Sequence, residues 1–132
     1  MSDTRYLTLS DIMAVALRAE PGTAVRDAGL LDSALHRPQA TVFGQDAYPD
    51  LYTKAAALMQ SLIVSHPFVD GNKRTGWGCM ELFLAYNGID LLRVIDVESA
   101  ETFTLAIAAG EIEDVAVIAA QLASWTPQPE AG

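Results

Sequence analysis

The chain has 132 residues, 51% of them apolar, and eight Lys and Arg against 17 Asp and Glu give a net charge of −9. That length and composition make one domain with a packed core and exclude wholesale disorder. A pI near 4.4 argues against nucleic acid as a partner, since phosphate backbones need clustered cations. No secretory signal pattern opens the chain and no apolar run is long enough to span a bilayer. The lone cysteine, Cys79, excludes an internal disulfide and fits a reducing cytoplasm.

Residues 1–6 read as an extended lead-in. Thr8-Leu-Ser-Asp11 is a capping-box pattern ahead of a first helix, Leu9 to Arg18, with Ile12, Val15, Ala16 and Leu17 toward the core and Pro21-Gly22 closing it. A short second helix spans Gly29 to His36 and stops before Pro38. Arg26 and Arg37 are expected on the surface or in salt bridges. His36 has a reading as a second base or a metal ligand, but the lack of a His, Cys or carboxylate at ligand spacing weighs against it. Gln39 to Pro49 is irregular: Ala40 to Phe43 has strand character, and the bland reading is a surface loop closed by Phe43 and Tyr48.

Asp50 to Ser65 reads as a helix from the spacing of Leu51, Ala55, Leu58, Met59, Leu62 and Ile63. Pro67 should end it close to His66. A second apolar helix runs from Asn72 to Asn87 with Gly88 as its stop. Trp77, Cys79, Met80, Phe83, Leu84 and Tyr86 at helical spacing read as core. Gly76 and Gly78 are unusual there and point to close packing or ligand approach. Glu81 is expected to be solvated. Ile89 to Ile95 is an apolar connector, Asp96 an N-cap for a helix from Val97 to Ala109, and a last helix covers Ile112 to Trp125, with Val115, Ile118, Ala119 and Leu122 on one face. The sum is one all-α domain over residues 1–126, a six-helix bundle with a short exposed loop element, followed by a disordered tail at 127–132.

The stretch between the two central helices carries the chemistry. His66 to Thr75 reads HPFVDGNKRT. Gly71 frees the backbone, and Asn72, Lys73, Arg74 and Thr75 fall on the first turn of a helix, where unpaired amides and the dipole favour an anion. Lys73 and Arg74 stand out because no other Lys or Arg occurs between Ala55 and Asn72, and only Arg93 follows. Two adjacent cations on such a helix start make a phosphate site. His66 is a proton acceptor for a hydroxyl, and Asp70 is a hard oxygen ligand suited to Mg²⁺ that also holds phosphate. Asn72 either bonds a phosphate or orients the loop, and Phe68 anchors the loop in the core. Together these residues form a phosphoryl- or nucleotidyl-transfer site.

His66-Pro67-Phe68-Val69-Asp70-Gly71-Asn72-Lys73-Arg74 resembles the motif of the Fic family and, in its lysine-bearing form, the family's Doc branch. Gly29 to Leu35 and Phe83 to Gly88 add to the likeness, which covers roughly residues 5 to 125 and is far more specific than a lone glycine pattern. Adenylylating Fic enzymes usually have glycine where this chain has Lys73, and a second arginine where it has Trp77. In the Doc branch the lysine is taken to reverse the nucleotide so that the γ-phosphate is presented. The resemblance therefore implies an ATP-dependent protein kinase with Mg²⁺, a threonine of elongation factor Tu as substrate, and arrested translation. It also implies a target-holding flap at Thr41, Val42 and Phe43, working by strand addition. Gly71, Asn72, Lys73 and Arg74 take the nucleotide, Asp70 the metal, and His66 the catalytic proton. No glutamate followed by Gly or Asn encodes the family's inhibitory helix, so silencing falls to a separate antitoxin of the Phd type, its C-terminal segment folding into a groove.

Three rival readings remain at this stage. One is a Fic-type adenylyltransferase. The second is a non-catalytic nucleotide- or phosphate-binding module, disfavoured because such a module needs no base. The third is a structural loop in which Asp70 pairs with Arg74.

Overall fold

The computed structural model describes residues 3–91 and 95–127. The connector residues 92–94 and all of the expected tail except Pro127 lie outside them. Six helices follow in order: α1 (Leu9–Ala19), α2 (Ala28–His36), α3 (Leu51–Ser65), α4 (Asn72–Tyr86), α5 (Val97–Ala108) and α6 (Val115–Ser124). A 3-10 turn (Arg37–Gln39) and a two-stranded hairpin, β1 (Thr41–Val42) and β2 (Gln45–Asp46), connect α2 to α3. The molecule is the all-α bundle that the periodicity predicts.

α3 is the axis of the bundle, with α4 and α6 packed along it and α2, α5 and the 3-10 turn completing its jacket. Ala55, Ala56, Ala57, Leu58 and Met59 are all buried. Five consecutive buried residues mean that the helix is enclosed on most of its circumference. Two glycines let α4 approach its neighbours. A Cβ on Gly76 would lie 2.6 Å from Ile63 Cγ1 of α3, and one on Gly78 would lie 2.7 Å from Val15 Cγ1 of α1. Close packing is thus what these glycines provide. Trp125 meets Phe103 edge-on at 5.2 Å and Trp77 at 5.9 Å, joining the end of α6 to α5 and α4.

The capping box at Thr8 forms as predicted, with Thr8 and Asp11 each accepting the other's amide. At the far end of α4, Gly88 (φ 83°) and Ile89 bond back to Ala85 and Leu84, a Schellman closure. Three expectations are corrected. Leu17 is 45% exposed and faces solvent, because the core stripe of α1 runs through Ile12 and Ala16. α6 starts at Val115, not Ile112. The Asp114 carboxylate caps the Ala116 amide at 2.8 Å, while the amides of Glu111 and Ile112 close α5 by bonding Ala106 O. Arg37 is not a surface residue, and it makes no salt bridge among the described residues. It is half-buried, and its guanidinium donates to Tyr48 Oη, Ala57 O, Gln60 Oε1 and Ser61 Oγ.

The irregular stretch is a hairpin, with Thr41 opposite Asp46 and Val42 opposite Gln45. Phe43 and Gly44 form its turn with φ of 50° and 78°, the left-handed pair that a tight hairpin requires. Phe43 is fully exposed, so it does not close a loop against the body.

Candidate functional site

The functional stretch forms the corner between α3 and α4, and the earlier chain holds it from outside. His66 is the C-cap of α3 in a left-handed conformation (φ 53°, ψ 59°), a shape that costs a non-glycine residue about 1 kcal/mol or more. Arg26 secures it: its guanidinium donates to His66 O at 2.6 Å and to Ser65 O at 3.0 Å. Pro67 O accepts the Arg26 and Asp27 amides, Val69 N donates to Ala24 O, and Val25 bridges Phe68. Thr23 Oγ1 donates to Asp70 O at 2.7 Å and faces the Asp70 amide at 3.3 Å. Residues 23–27 thus act as a splint for residues 65–70.

Inside the corner, Phe68 is buried and anchors the loop in the core. Asn72 takes the loop-orienting option: its Oδ1 accepts the Phe68 amide at 3.0 Å and its Nδ2 donates to Phe68 O at 2.9 Å. That side chain is buried and fully engaged, so what it offers a ligand is its backbone amide. Gly71 (φ 78°) is the N-cap of α4 and supplies no capping side chain. The reason for a glycine there is twofold: the left-handed φ, and Glu20 Cβ lying 2.9 Å from where a Cβ would stand.

The polar side chains are presented to solvent. His66, Asp70, Lys73 and Arg74 are all exposed. Asp70 accepts the Gly71 amide at 2.8 Å through Oδ1 and makes no other side-chain bond among the described residues. Arg74 pairs with Glu20 at 3.1 Å, not with Asp70, so the structural-loop reading loses its ion pair. The Lys73 side chain makes no ion pair or hydrogen bond with the described residues. Gly71, Asn72, Lys73 and Arg74 also border a cleft of about 680 Å³ between α1, α4 and α5, whose walls include Val15, Trp77 and Leu105. His66 and Asp70 do not line that cleft. The flap residues Thr41, Val42 and Phe43 lie on the hairpin, and they too are exposed.

His36 stands apart, its Nδ1 3.4 Å from Asp32 Oδ1 and 2.9 Å from Asp32 O. A carboxylate does therefore sit at helical spacing from it, but both side chains are exposed and hold nothing else among the described residues. Cys79 is buried on α4, and burial pushes its thiol up to about 12, away from nucleophilic chemistry. No group of three His, Cys, Asp or Glu side chains among the described residues is arranged to hold a metal alone. A divalent ion at the lone Asp70 must therefore bring further ligands, as Mg²⁺ does when it rides on phosphate oxygens.

Sequence reasoning missed Arg26, Thr23 and Glu20, which act on the corner from distant positions, and Lys54, which acts on the nearby hairpin from within α3. The only local signal was charge: Arg26 and Lys54 are two of just eight cations.

The model of the Fic/DOC family matches residues 5–84, a span that runs from the lead-in through the corner and nearly the whole of α4. The chain belongs to the Fic/DOC family. Within it the chain falls on the Doc branch: it is 46% identical over 130 residues to a protein named Toxin Doc from Mycolicibacterium smegmatis, covering 98% of this chain and 99% of that one. The fold of this Fic/DOC protein places the family motif at the α3–α4 corner, and no helix among its described residues is long and apolar enough to cross a membrane.

Proposed function

We propose that this Fic/DOC protein is the toxin of a toxin–antitoxin pair, a kinase that moves the γ-phosphate of ATP onto a threonine hydroxyl of elongation factor Tu and so arrests translation in the cytoplasm. The observation that carries the reading is the start of α4. The other five helices each have a capping side chain, Thr8, Asp27, Asp50, Asp96 and Asp114 in turn. α4 begins on a glycine with no side-chain cap, under an exposed Lys-Arg pair. A helix start left without a capping side chain and crowned by cations suits a polyphosphate.

The roles follow from position. Lys73, Arg74 and the amides of the first turn hold the phosphates. His66, fixed by Arg26 at the facing helix end, takes the proton as the target oxygen attacks phosphorus and ADP departs. Asp70 would hold Mg²⁺, which when bound neutralises phosphate charge. Asn72 and Thr23 keep the corner in shape before the nucleotide arrives. Lys73 in place of glycine favours γ-phosphate transfer over adenylylation, as the Doc resemblance implies. The name of the Mycolicibacterium smegmatis relative supports the toxin role. A Phd-type antitoxin would lay its C-terminal segment into the apolar cleft beside Trp77, next to the same cations.

The test is transfer from γ-labelled and α-labelled ATP to purified elongation factor Tu and to cell lysate. Label is expected from the γ-phosphate alone and is lost in His66→Ala without loss of fold. Label from the α-phosphate overturns the kinase assignment in favour of adenylylation. Growth arrest that survives His66→Ala overturns catalysis in favour of binding.

A further inference from the structure

The Phe43–Gly44 turn sets the register of the hairpin. It does not set where the hairpin sits on the bundle. The strands have two residues each, and all four are exposed, so no buried face seats them. The placement must therefore come from outside.

Two cations rooted in or on α3 supply it. Lys54 lies one turn into α3 with 1% of its surface exposed. Its ammonium donates to the Asp46 carboxylate of β2 at 3.1 Å and to the Tyr48 carbonyl. Lysine is almost never buried to this degree unless paired. An apolar side chain would fill the same place without the cost of desolvating a charge. What it would lack is direction: Lys54 bonds specific atoms of residues 46 and 48. Arg37 grips the same limb through Tyr48. Its Nε donates to Tyr48 Oη at 3.1 Å and its guanidinium lies 5.5 Å from the Tyr48 ring, while its Nη1 is anchored on Ala57, Gln60 and Ser61 of α3. The limb after the turn is thus tied twice to the helix that ends in His66. The limb before it, Thr41 and Val42, pairs with β2 and has no such tie among the described residues.

We propose that Lys54 and Arg37 are positioning residues. They hold β2 and Tyr48 at a fixed offset along α3 from His66, and so set where the outer edge of β1 stands, the flap edge that the family resemblance already implies for an extended target segment. This rests on the protein-transfer reaction proposed above. Edge docking uses backbone bonds, so its demand is correct placement of the edge and not a particular target sequence.

The experiment uses the full chain with Lys54→Met, which keeps the volume and removes the charge, and Tyr48→Phe, which removes only the Arg37–Tyr48 bond. Amide hydrogen exchange is followed across residues 40–47, and γ-phosphate transfer to purified elongation factor Tu is followed in parallel. In Lys54→Met the hairpin amides, Ala47 included, are expected to exchange about tenfold faster while α3 and α4 keep their protection. The KM for the protein target is expected to rise about tenfold with kcat changed less than about twofold, as loosened positioning predicts. Tyr48→Phe should shift both in the same direction by less. Unchanged hairpin exchange in Lys54→Met overturns the clamp. So does a fall in kcat accompanied by faster exchange throughout the bundle, which marks a merely structural lysine. If the wild-type protein labels nothing, the function proposed above falls, and the exchange result alone decides whether the clamp exists.

Discussion

The Arg74 guanidinium donates to the Glu20 carboxylate across 3.1 Å, and Glu20 is the C-cap of α1, fifty-four positions away. The cation that faces the proposed phosphate site is thereby partly neutralised by a residue packed against Gly71. On the proposed function, a nucleotide arriving there would share Arg74 with Glu20. Replacing Glu20 with Gln keeps the shape and removes one negative charge. ATP affinity, measured by calorimetry with Mg²⁺ present, is expected to rise by about fivefold at most, because an exposed ion pair is worth about 1 kcal/mol or less. Weaker binding in Glu20→Gln would show that the carboxylate serves to aim Arg74 and not to compete for it.

Arg26 governs the other half of the corner. Its side chain covers the carbonyls of Ser65 and His66 at the negative end of α3. Arg26→Ala removes both side-chain bonds and leaves the strained His66 backbone to Pro67 and the main-chain bonds from residues 24–27. Hydrogen bonds from a charged donor contribute about 1.5–3 kcal/mol when sheltered, and the exposure of Arg26 puts its effect at the low end. The expected outcome is a fall in kcat of about tenfold with little change in ATP affinity, since Asn72 fixes the start of α4 independently. Equal loss in both quantities would mean that the two halves of the corner are not separately supported.

The glycines of α4 allow a test of packing against propensity. Alanine gains about 1 kcal/mol over glycine inside a helix, whereas overfilling a close contact costs about 1–3 kcal/mol. At Gly76 the new methyl meets buried Ile63 at 2.6 Å and the Met59 carbonyl at 3.2 Å, and neither can retreat. At Gly78 it meets Val15, which is half-buried at the cleft edge and can give way. Gly76→Ala should lower the urea midpoint, and Gly78→Ala should leave it nearly unchanged.

Acid stability should report the first capping box. The Thr8 amide above all, then the Tyr86 hydroxyl, hold the Asp11 carboxyl below the usual carboxylate range. A carboxyl depressed in the folded state adds stability that is complete above its unfolded pKa and disappears as pH falls through its folded one. Asp11→Asn should therefore unfold at lower urea than the parent at pH 7, and the two should converge as the pH drops below the carboxylate range. A constant difference across that range would show that the hydrogen bonds act without the charge.

The shape of the corner was legible because the proposed ligand-facing residues lie within nine consecutive positions, His66 to Arg74, and because proline and glycine act locally on the backbone. Helix limits were legible where a cap preceded a clear apolar stripe, as at Thr8 and Asp96. They failed at α6, where Ile112 extends the apolar pattern backward and only the Asp114 cap marks the true start. Lys54, Arg26 and Glu20 were not legible. Each acts on a partner brought near by the fold, and in the chain each reads as an ordinary surface charge. Asn72 was half legible: its amide could serve a ligand or the loop, and only the position of Phe68 decides between them.

Tyr52 Oη and Thr126 Oγ1 share a hydrogen bond at 2.8 Å, which seats the close of α6 on the opening turn of α3. His66 lies fourteen residues further along that axis, roughly 21 Å away at helical rise. A dye, bead or fusion partner joined after Pro127 would consequently ride at the pole opposite the imidazole, and single-molecule or surface-coupled assays built that way should leave the α3–α4 corner unobstructed.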